Sequence, residues 1–191
     1  MEFPLFDPAW SWAGASLLLT SPTHLIFIKR SQSMPTHAGQ MAFFGGHKKE
    51  SEQHPFEVAR REFVEESGLA EKNIECVGVL APVMTARAQP IVPVVATLRM
   101  SPEDFLTAAR SNGEWEDLVA VPWSELRNEA IWDWGYFNGP RVYKVLTLPL
   151  HAGRYLHFRG DNSRSYVLWG ATARMVWNYL SIYHAALKKD L

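Results

Sequence analysis

The chain has 191 residues, of which 47% are hydrophobic, and it contains eight tryptophans. This composition excludes a disordered chain and predicts one folded domain over residues 1–191 with a substantial core. The net charge is −1 and no run of Lys or Arg exceeds two residues, so nucleic acid is not expected as the main partner. A local basic pocket that binds phosphates is compatible with this charge.

Cys76 is the only cysteine, so the chain cannot form an internal disulfide. It lies in an apolar run and is predicted to pack in a strand, which fits a reducing compartment. The N-terminal segment lacks a basic region and is interrupted by Pro4 and Pro8, a pattern that predicts neither a signal peptide nor a membrane span. The sequence therefore predicts a cytoplasmic protein with no membrane partner.

The first part of the chain contains two apolar runs of strand length, separated by Ser21-Pro22-Thr23. This arrangement indicates a β-hairpin. In chain order the predicted elements are strands at 13–20 and 24–30, a polar loop at 31–36, the polar string 37–40, a short apolar piece at 41–44 and a loop at 45–54.

A helix is predicted to begin at Pro55 and to end before Gly68, because proline suits the first helical position and glycine suits the left-handed residue after a helix. At about 100° per residue, Glu62, Glu65 and Glu66 fall within an arc of roughly 100°. The adjoining stripe is apolar and is expected to pack on a core. It consists of Phe56, Ala59 and Phe63, with Glu57, Arg60 and Arg61 further round the helix.

Three carboxylates on one helix face repel each other, which is unfavourable for stability alone. A hard divalent cation removes the repulsion, and Mg²⁺ takes oxygen ligands and is commonly shared with substrate phosphates. A metal site on this face is therefore one interpretation. The alternative is a solvated acidic face with no ligand.

After the helix, two further apolar runs flank a turn-rich segment at 85–90. Residues 101–113 fit either a short helix or a loop. The last element is a long helix at 167–188 with apolar residues at helical spacing. The elements in between are strands at 74–83, 91–100 and 115–121, a helical turn at 122–126, an aromatic loop at 127–140, and a hairpin of 142–150 with 154–159.

The segment that ends in the acidic helix resembles the Nudix box, usually written G-x5-E-x7-R-E-U-x-E-E-x-G-U with U apolar. Eight residues, not seven, separate Glu52 from Arg61, so Glu52 fits only if the loop accommodates one extra residue. With the motif spacing enforced, Gln53 and His47 take the positions of the Glu and the first Gly. We prefer the insertion because it keeps the Gly45-Gly46 pair. The matching residues are Gly46, Glu52, Arg61, Glu62, Phe63, Glu65, Glu66, Gly68 and Leu69.

Further segments resemble the coenzyme A pyrophosphatase branch of the Nudix superfamily, which carries L-L-T-x-R-S-x3-R-x3-G-x3-F-P-G-G before the box and W-G-x-T-A-R near the C-terminus. That branch also tends to have the eight-residue spacer. Pro35 stands where the branch has Arg, and Phe44 where it has Pro; the first change removes a cation for a substrate phosphate. The matching residues are Leu25 to Ser31, His37 to Gln40, Phe43, Gly45, Gly46, and Trp169 to Arg174.

The resemblance implies an α/β fold, an α/β/α sandwich with a mixed β-sheet. It implies hydrolysis of the pyrophosphate bond of a nucleoside diphosphate linked to another group, assisted by Mg²⁺ or Mn²⁺. By analogy with the box, Glu62 and Glu66 are metal ligands, and Glu65 joins them directly or through water. Arg61 is expected to orient carboxylates, and Glu52 either steadies the loop or binds an outer metal.

Two residues are candidates for the general base that deprotonates the attacking water. These are Glu65 and Glu114, with Glu116 as the next choice, although the last two also fit solvated loop charges. The substrate-binding candidates are Arg30, His37, Gln40, Gly45 and Gly46, with Lys29 beside them; a surface charge pair also explains Lys29 and Arg30. Four aromatic residues either stack on an adenine, line a dimer contact or belong to the core: Trp132, Trp134, Tyr136 and Phe137. For Trp169 and Arg174 the simplest interpretations are packing and a salt bridge.

Three functions follow from these patterns. The first is hydrolysis of coenzyme A or acyl-coenzyme A to a phosphopantetheine product and 3′,5′-ADP. The second is the same chemistry on ADP-ribose or a nucleotide sugar, which the replacement at Pro35 favours. The third is a catalytically silent Nudix-like binding module; such modules commonly lose the box glutamates, which this chain retains. A homodimer is compatible with each of them.

Overall fold

A mixed β-sheet lies between two layers of helices in the computed structural model, which describes residues 3–128, 132–136, 144–150, 156–157 and 166–187. The strands are β1 (Gly14–Thr20), β2 (His24–Arg30), β3 (Met41–Ala42), β4 (Phe44–His47), β5 (Ile74–Val79), β6 (Val83–Met84), β7 (Pro90–Leu98), β8 (Trp115–Pro122), β9 (Asp133–Tyr136), β10 (Lys144–Leu150), β11 (Leu156–His157) and β12 (Tyr166–Leu168). The helices are α1 (Pro55–Ser67), α2 (Pro102–Ala108), α3 (Trp123–Leu126) and α4 (Gly170–Leu187), with a 3₁₀ turn at Glu71–Asn73.

The large sheet has the strand order β11-β8-β2-β1-β7-β5. Strands β1 and β7 are parallel over their paired length, and the other paired strands are antiparallel. Strands β10, β9 and β12 form a separate small sheet. The predicted α/β/α sandwich with a mixed sheet is therefore confirmed.

The predicted hairpin of β1 and β2 is confirmed, but the two strands pair only near their turn, at Leu19–Thr20 with Leu25–Ile26. Beyond this point β4 pairs with β1, and β3 pairs with β2. The strands β1 and β2 therefore diverge, and the short strands between them bring the Gly45-Gly46 pair under helix α1.

Alternating side chains of the central strands supply two separate cores, because successive residues of a strand point to opposite faces. Leu18 and Phe27 pack on one face with Val176 of α4. Leu17 packs on the other face with Phe63 of α1, so the acidic helix is held on the sheet by its apolar stripe. Ala59 and Phe63 are fully buried and Phe56 is partly buried, as the predicted stripe requires.

The elements between α1 and α3 largely follow the predictions. Helix α1 has the predicted bounds, and strands β5, β7 and β8 and the helical turn α3 are present. The ambiguous segment 101–113 contains α2, which begins after Ser101, whose side chain caps the helix by accepting from the Asp104 N–H. Cys76 lies in β5 as a free thiol, but it is only partly buried. No helix within the described ranges combines the length and the apolar character needed to cross a membrane.

Three predictions for the C-terminal part are wrong. Strand β10 pairs with β9 and β12, and β11 pairs with β8, so 142–150 and 154–159 do not form a hairpin. The predicted aromatic loop contains strand β9. Helix α4 begins at Gly170 and not at 167, because 166–168 are drawn into β12 by pairing with β10. The turn predicted at 151–153 lies outside the described residues.

Candidate functional site

Helix α1 carries the candidate site, and both of its ends are capped. The His54 side chain accepts a hydrogen bond from the Phe56 N–H at 3.2 Å, and the Glu57 carboxylate accepts one from the His54 N–H at 3.0 Å. At the other end Gly68 adopts φ = 70°, and its N–H donates to the Val64 carbonyl oxygen at 3.1 Å. The carboxylates between these caps therefore have a fixed position along the sheet.

Glu66 is the most buried acidic side chain of the helix, with 1% of its surface exposed. Its Oε2 accepts a hydrogen bond from the Gly45 N–H at 2.9 Å, so helix α1 and strand β4 meet at this carboxylate. Burial raises the pKa of Glu66 to about 8; the charges of Glu62 and Glu114 add to this rise, whereas Arg30 opposes it. The environment of Glu66 is therefore short of positive charge.

The two glycines of β4 allow two close approaches, that of Gly46 to helix α1 and that of Gly45 to strand β1. A Cβ atom at Gly46 would lie 2.1 Å from Oε1 of Glu62, and a Cβ atom at Gly45 would lie 2.4 Å from the Ala15 carbonyl oxygen. Burial also raises the pKa of Glu62, while Arg61 opposes that rise. Any side chain at Gly46 would displace the Glu62 carboxylate.

Arg61 binds Glu62 and Glu65 of the helix and Glu52 of the preceding loop. Its Nε and Nη2 donate to the two oxygens of Glu52 at 2.7 and 3.2 Å. Its Nη1 donates to Glu62 at 2.6 Å and to Glu65 at 3.1 Å, and its Nη2 also donates to the His47 carbonyl oxygen at 3.0 Å. The hydrogen bonds to Glu52 raise the pKa of Arg61 and lower the pKa of Glu52. Arg61 thus contacts three carboxylates at once.

The loop between β4 and α1 brings Glu52, and not Gln53, to Arg61. Glu52 is 8% exposed, and its Oε2 also accepts a hydrogen bond from the Lys49 N–H at 2.6 Å. The Gln53 N–H instead donates to the Glu57 carboxylate at 2.6 Å. The loop therefore accommodates the eight-residue spacer in the way the insertion requires.

The turn before β8 brings Glu114 towards the helix. Glu114 is partly buried, and its negative charge contributes to the raised pKa values of Glu62 and Glu66. Asn112 binds both the side chain and the main chain of Glu114. Its Nδ2 donates to the Glu114 carboxylate at 3.1 Å, and its Oδ1 accepts from the Glu114 N–H at 3.0 Å. Glu114, Glu62 and Glu66 therefore form one electrostatically coupled group.

Glu116 and Lys29, two other candidates from the sequence, bind each other. Their side chains form a salt bridge, and Lys29 is buried. The second oxygen of Glu116 accepts a hydrogen bond from the Gln32 N–H at 3.3 Å. The pair therefore links the neighbouring strands β2 and β8, and neither residue is a solvated surface charge.

The loop after β2 is fixed to Arg30. The Arg30 N–H donates to the Gln40 carbonyl oxygen at 2.9 Å, and the Gly39 N–H donates to the Arg30 carbonyl oxygen at 3.1 Å. His37 adopts φ = 58°, and its Nδ1 lies 3.2 Å from Oε1 of Gln40. The structure thus joins His37 to Gln40 and leaves His37 exposed, while Arg30 is partly buried close enough to Glu66 to oppose its raised pKa.

Among the aromatic and C-terminal candidates, the structure describes the side chains of Trp132, Trp169 and Arg174. Trp132 is buried in the core, its Nε1 donates to the Leu126 carbonyl oxygen at 2.8 Å, and its ring lies edge-on to Trp177. Arg174 donates to the main-chain carbonyl of Met84. The salt bridge predicted for Arg174 is not among the ion pairs of the described residues and stays a prediction. Trp169 is partly buried. Trp134 and Tyr136 lie on β9, and Phe137 lies outside the described residues.

One residue near the site was not singled out from the sequence beyond its place in a strand. Trp115 is buried, and its indole Nε1 donates to the main-chain carbonyl oxygen of Glu66 at 2.7 Å. A buried tryptophan usually finds an acceptor for its N–H, so the residue type gives a general signal. Nothing in the sequence indicates which carbonyl that acceptor is.

The donor atoms fit a hard divalent cation. Glu62, Glu65 and Glu66 offer only oxygen ligands, which Mg²⁺ prefers, and Gly46 leaves room beside the Glu62 carboxylate. In the described part of the chain, no three His, Cys, Asp or Glu side chains are already arranged around a common centre. The reason is visible in the hydrogen bonds, since Arg61 holds both Glu62 and Glu65.

Comparison with protein families identifies the family of the chain. A family model of the NUDIX domain matches residues 11–137, which is more than half of the chain. The chain belongs to the Nudix family. The match spans β1 to β9 and so includes α1, the Gly45-Gly46 pair and Glu114.

Known Nudix proteins resemble the chain over most of its length. The uncharacterized Nudix hydrolase NudL of Escherichia coli K12 is 29% identical over 163 residues, which cover 80% of this chain and 71% of NudL. NudL of Escherichia fergusonii matches to the same extent. A MutT/nudix family protein from Enterococcus faecalis has 14% identity and a TM-score of 0.51, over 96% of this chain and 66% of that protein, and shares the fold.

The chain is therefore a Nudix hydrolase that acts on phosphoanhydride bonds. Its substrate class is a nucleoside diphosphate linked to a second group, and Nudix enzymes use divalent metal ions for this hydrolysis.

Proposed function

We propose that Glu62, Glu65 and Glu66 hold Mg²⁺ or Mn²⁺, and that the enzyme hydrolyses coenzyme A or acyl-coenzyme A. The environment of Glu66 carries the proposal for the site. Its carboxylate is buried, and its pKa is raised to about 8. The neighbouring carboxyl of Glu62 also has a raised pKa. A cation at this position offsets the cost of ionising both groups.

The reaction is displacement at phosphorus by water. One oxygen–phosphorus bond forms, the bridging oxygen–phosphorus bond breaks, and the departing phosphate carries the negative charge away. A bound divalent cation supplies charge that offsets the phosphate oxygens and makes the attacking water more acidic. The protein holds the phosphates in line and accepts the proton of the water.

We assign the proton acceptor to Glu114. Its charge acts directly on Glu62 and Glu66, and one side of its carboxylate is fixed by Asn112. The Glu65 carboxylate instead contacts Arg61 at 3.1 Å and Lys49 at 3.4 Å, which hold it towards the loop before α1. A base must reach the water that it deprotonates, and the contacts of Glu114 suit that task better.

The remaining candidates bind or orient. Arg30 lies near Glu66 and is partly buried, and its Nε has no hydrogen-bond partner among the described residues, so its guanidinium is suited to a substrate phosphate. Gly46 lets helix α1 approach strand β4 beside the metal position, and Gly45 lets β4 approach β1. Arg61 orients Glu62 and Glu65 and ties them to Glu52. His37 and Gln40, on the loop fixed to Arg30, are suited to the leaving group.

The choice of coenzyme A rests on the segments at 25–46 and 169–174, which resemble the coenzyme A branch. Phe44, one of the two departures, is fully buried and packs edge-on against Phe63 and Phe105. It is a core substitution and has no bearing on the substrate. Pro35 lies exposed in the loop that Arg30 anchors, so the lost cation bears on the substrate. That loss favours ADP-ribose or a nucleotide sugar as the second candidate.

A hydrolysis panel with Mg²⁺ and with Mn²⁺ tests the proposal. It contains coenzyme A, acyl-coenzyme A, ADP-ribose, a nucleotide sugar and a dinucleoside polyphosphate, with products identified by mass. We expect phosphopantetheine and 3′,5′-ADP to form fastest. Pro35→Arg is the matched variant, and we expect it to raise kcat/KM for coenzyme A more than for ADP-ribose.

A preference for ADP-ribose or a sugar overturns the coenzyme A assignment and leaves the metal site intact. Absence of turnover on every substrate with either metal favours a binding module. A turnover that survives removal of divalent ions by a chelator contradicts the metal site itself.

A further inference from the structure

We infer that Trp115 is a positioning residue that fixes the Glu66 carboxylate relative to Glu114, and this inference rests on the proposed function. The observation behind it is the hydrogen bond of 2.7 Å from Trp115 Nε1 to the Glu66 carbonyl oxygen, made between two fully buried residues. Trp115 acts through these residues and has no role in contacting the substrate.

The bond meets a need at the end of helix α1. The last four carbonyls of a helix have no partner within it, and Glu66 is the penultimate residue of α1. Two neighbouring carbonyls are bound locally, that of Phe63 by the Ser67 hydroxyl and that of Val64 by the Gly68 N–H. The Glu66 carbonyl is bound by a residue 49 positions away, so this bond ties the helix end to the sheet.

The segment that provides the bond also carries the proposed base. The Arg110 N–H donates to the Ser67 carbonyl oxygen at 2.8 Å, so two bonds join 110–115 to the helix end. Ser111 Oγ donates to the Trp115 carbonyl oxygen at 2.5 Å and closes the turn that contains Glu114. A movement of the indole would therefore move the helix end and this turn relative to each other.

Trp115 also adjoins the third charged residue of the site. It is the pairing partner of Arg30 at the irregular end of the β2–β8 ladder. The Ser31 N–H donates to the Glu114 carbonyl oxygen at 2.9 Å, next to the same point. Glu66, Glu114 and Arg30 come from separate parts of the chain, and Trp115 is bonded to or adjacent to each of them.

The position of the Glu66 carboxylate depends on a contact at the carboxylate itself and on a contact at the main chain of the same residue. Gly45 N–H holds the carboxylate at 2.9 Å, and Trp115 holds the main chain of the same residue. Groups that orient a metal ligand typically change metal affinity or activity by about 10–100-fold when removed. Small displacements of a reacting group have effects of the same order.

The test compares two buried tryptophans that make the same kind of bond. Trp115→Phe removes the indole N–H from the Glu66 carbonyl. Trp123→Phe removes it from the Ser21 carbonyl, to which Trp123 Nε1 donates at 2.9 Å from the other end of β8. Mn²⁺ affinity is measured by electron paramagnetic resonance, alongside kcat, KM and Tm.

We expect both variants to lower Tm by a similar amount. Trp115→Phe alone should weaken Mn²⁺ binding about 10-fold and lower kcat about 10–100-fold, with KM changed by less than about 2-fold. In a Glu66→Gln background, Trp115→Phe should have little further effect on Mn²⁺ affinity, because its effect passes through Glu66.

A second variant controls for misfolding of Trp115→Phe. It replaces Trp115 with β-(3-benzothienyl)alanine, which keeps the ring shape and lacks the N–H. This variant should reproduce the weaker Mn²⁺ binding and lower kcat. Equal Mn²⁺ affinities and kcat values for the Trp115 and Trp123 variants would show that Trp115 only packs, and would overturn the inference. If Glu66→Gln itself leaves Mn²⁺ binding and turnover unchanged, the proposed metal site fails instead, so the two failures are distinguishable.

Discussion

Four of the acidic side chains at the site are held in two different ways. Glu52, Glu62 and Glu65 share the guanidinium of Arg61, whereas Glu66 is bound by a main-chain N–H and is buried. The first group carries its own counter-charge. The second has a carboxyl whose pKa burial raises to about 8. Of these four carboxyls, Glu66 therefore gains the most from binding an external cation.

The two groups are also anchored to different parts of the chain. Arg61 and Glu52 are tied to the loop before α1 through the His47 carbonyl and the Lys49 N–H. Glu66 is tied to the sheet through Gly45 and Trp115. This difference predicts unequal responses to substitution.

The largest effect is expected for Glu66→Gln. The amide oxygen can still accept from the Gly45 N–H, so the fold should persist, but the negative charge is lost. We expect kcat to fall about 10³-fold or more, because a metal supplies several kcal/mol of transition-state stabilisation. Steady-state kinetics and circular dichroism measure the two quantities.

Glu57→Gln is the matched control for that experiment. Glu57 is an exposed carboxylate in the first turn of the same helix, where it accepts from the Gln53 and His54 N–H groups. Its amide oxygen can still accept from these N–H groups, so the helix cap is kept and kcat should stay within about 2-fold. Unchanged turnover in Glu66→Gln would remove Glu66 from the metal site.

Glu114→Gln should have the next largest effect. General base catalysis typically contributes about 10²–10⁴-fold, so we expect kcat to fall by at least about 10²-fold with little change in Mn²⁺ affinity. Glu65→Gln, in the Arg61 group, should lower kcat less. Glu103→Gln, an exposed carboxylate on α2, serves as the control. A larger loss in Glu65→Gln than in Glu114→Gln would transfer the role of base to Glu65.

Arg61→Lys tests the first group directly. A lysine cannot reproduce the fork that binds Glu52 while also reaching Glu62 and Glu65. We expect Mn²⁺ affinity to fall about 10-fold, within the range for residues that orient metal ligands. Arg60→Lys, at the neighbouring exposed position, should leave the affinity unchanged. Equal affinities in the two variants would mean that Arg61 does not orient the ligands.

The sequence was sufficient for α1 because the signals for a helix are local. Pro55 and Gly68 mark its ends, and the spacing of Glu62, Glu65 and Glu66 places them on one face. The contact of Glu52 with Arg61 followed from a motif spacing within the same segment. Such features depend on residues a few positions apart, so they can be read directly from the sequence.

The rest of the site depends on strand order, which the sequence does not show. Arg30, Glu66 and Glu114 meet because β8 lies beside β2 and the turn before β8 passes the end of α1. The wrong hairpin at 142–159 has the same cause, since β10 prefers the partners β9 and β12 over the next segment of the chain. Choice of partner strand is a tertiary property, and apolar patterning leaves it open.

The smallest effect expected is a pH dependence of stability in the metal-free protein. The pKa of Glu66 rises from 4.5 to about 8 on folding, so the folded state favours the protonated form. The stabilisation is therefore full below pH 4.5 and is lost as the pH rises through about 8. Glu66→Gln mimics the neutral form at every pH.

Thermal unfolding in a chelator, from pH 5 to pH 9, measures this difference. We expect wild type and Glu66→Gln to have similar Tm values at pH 5, and the variant to be more stable by roughly 10 °C at pH 9. Adding Mn²⁺ at pH 9 should raise the Tm of the wild type alone, because the cation compensates the ionised Glu66. Parallel Tm curves would show that Glu66 is not the unneutralised carboxyl, and the contrast with the Arg61 group would then disappear.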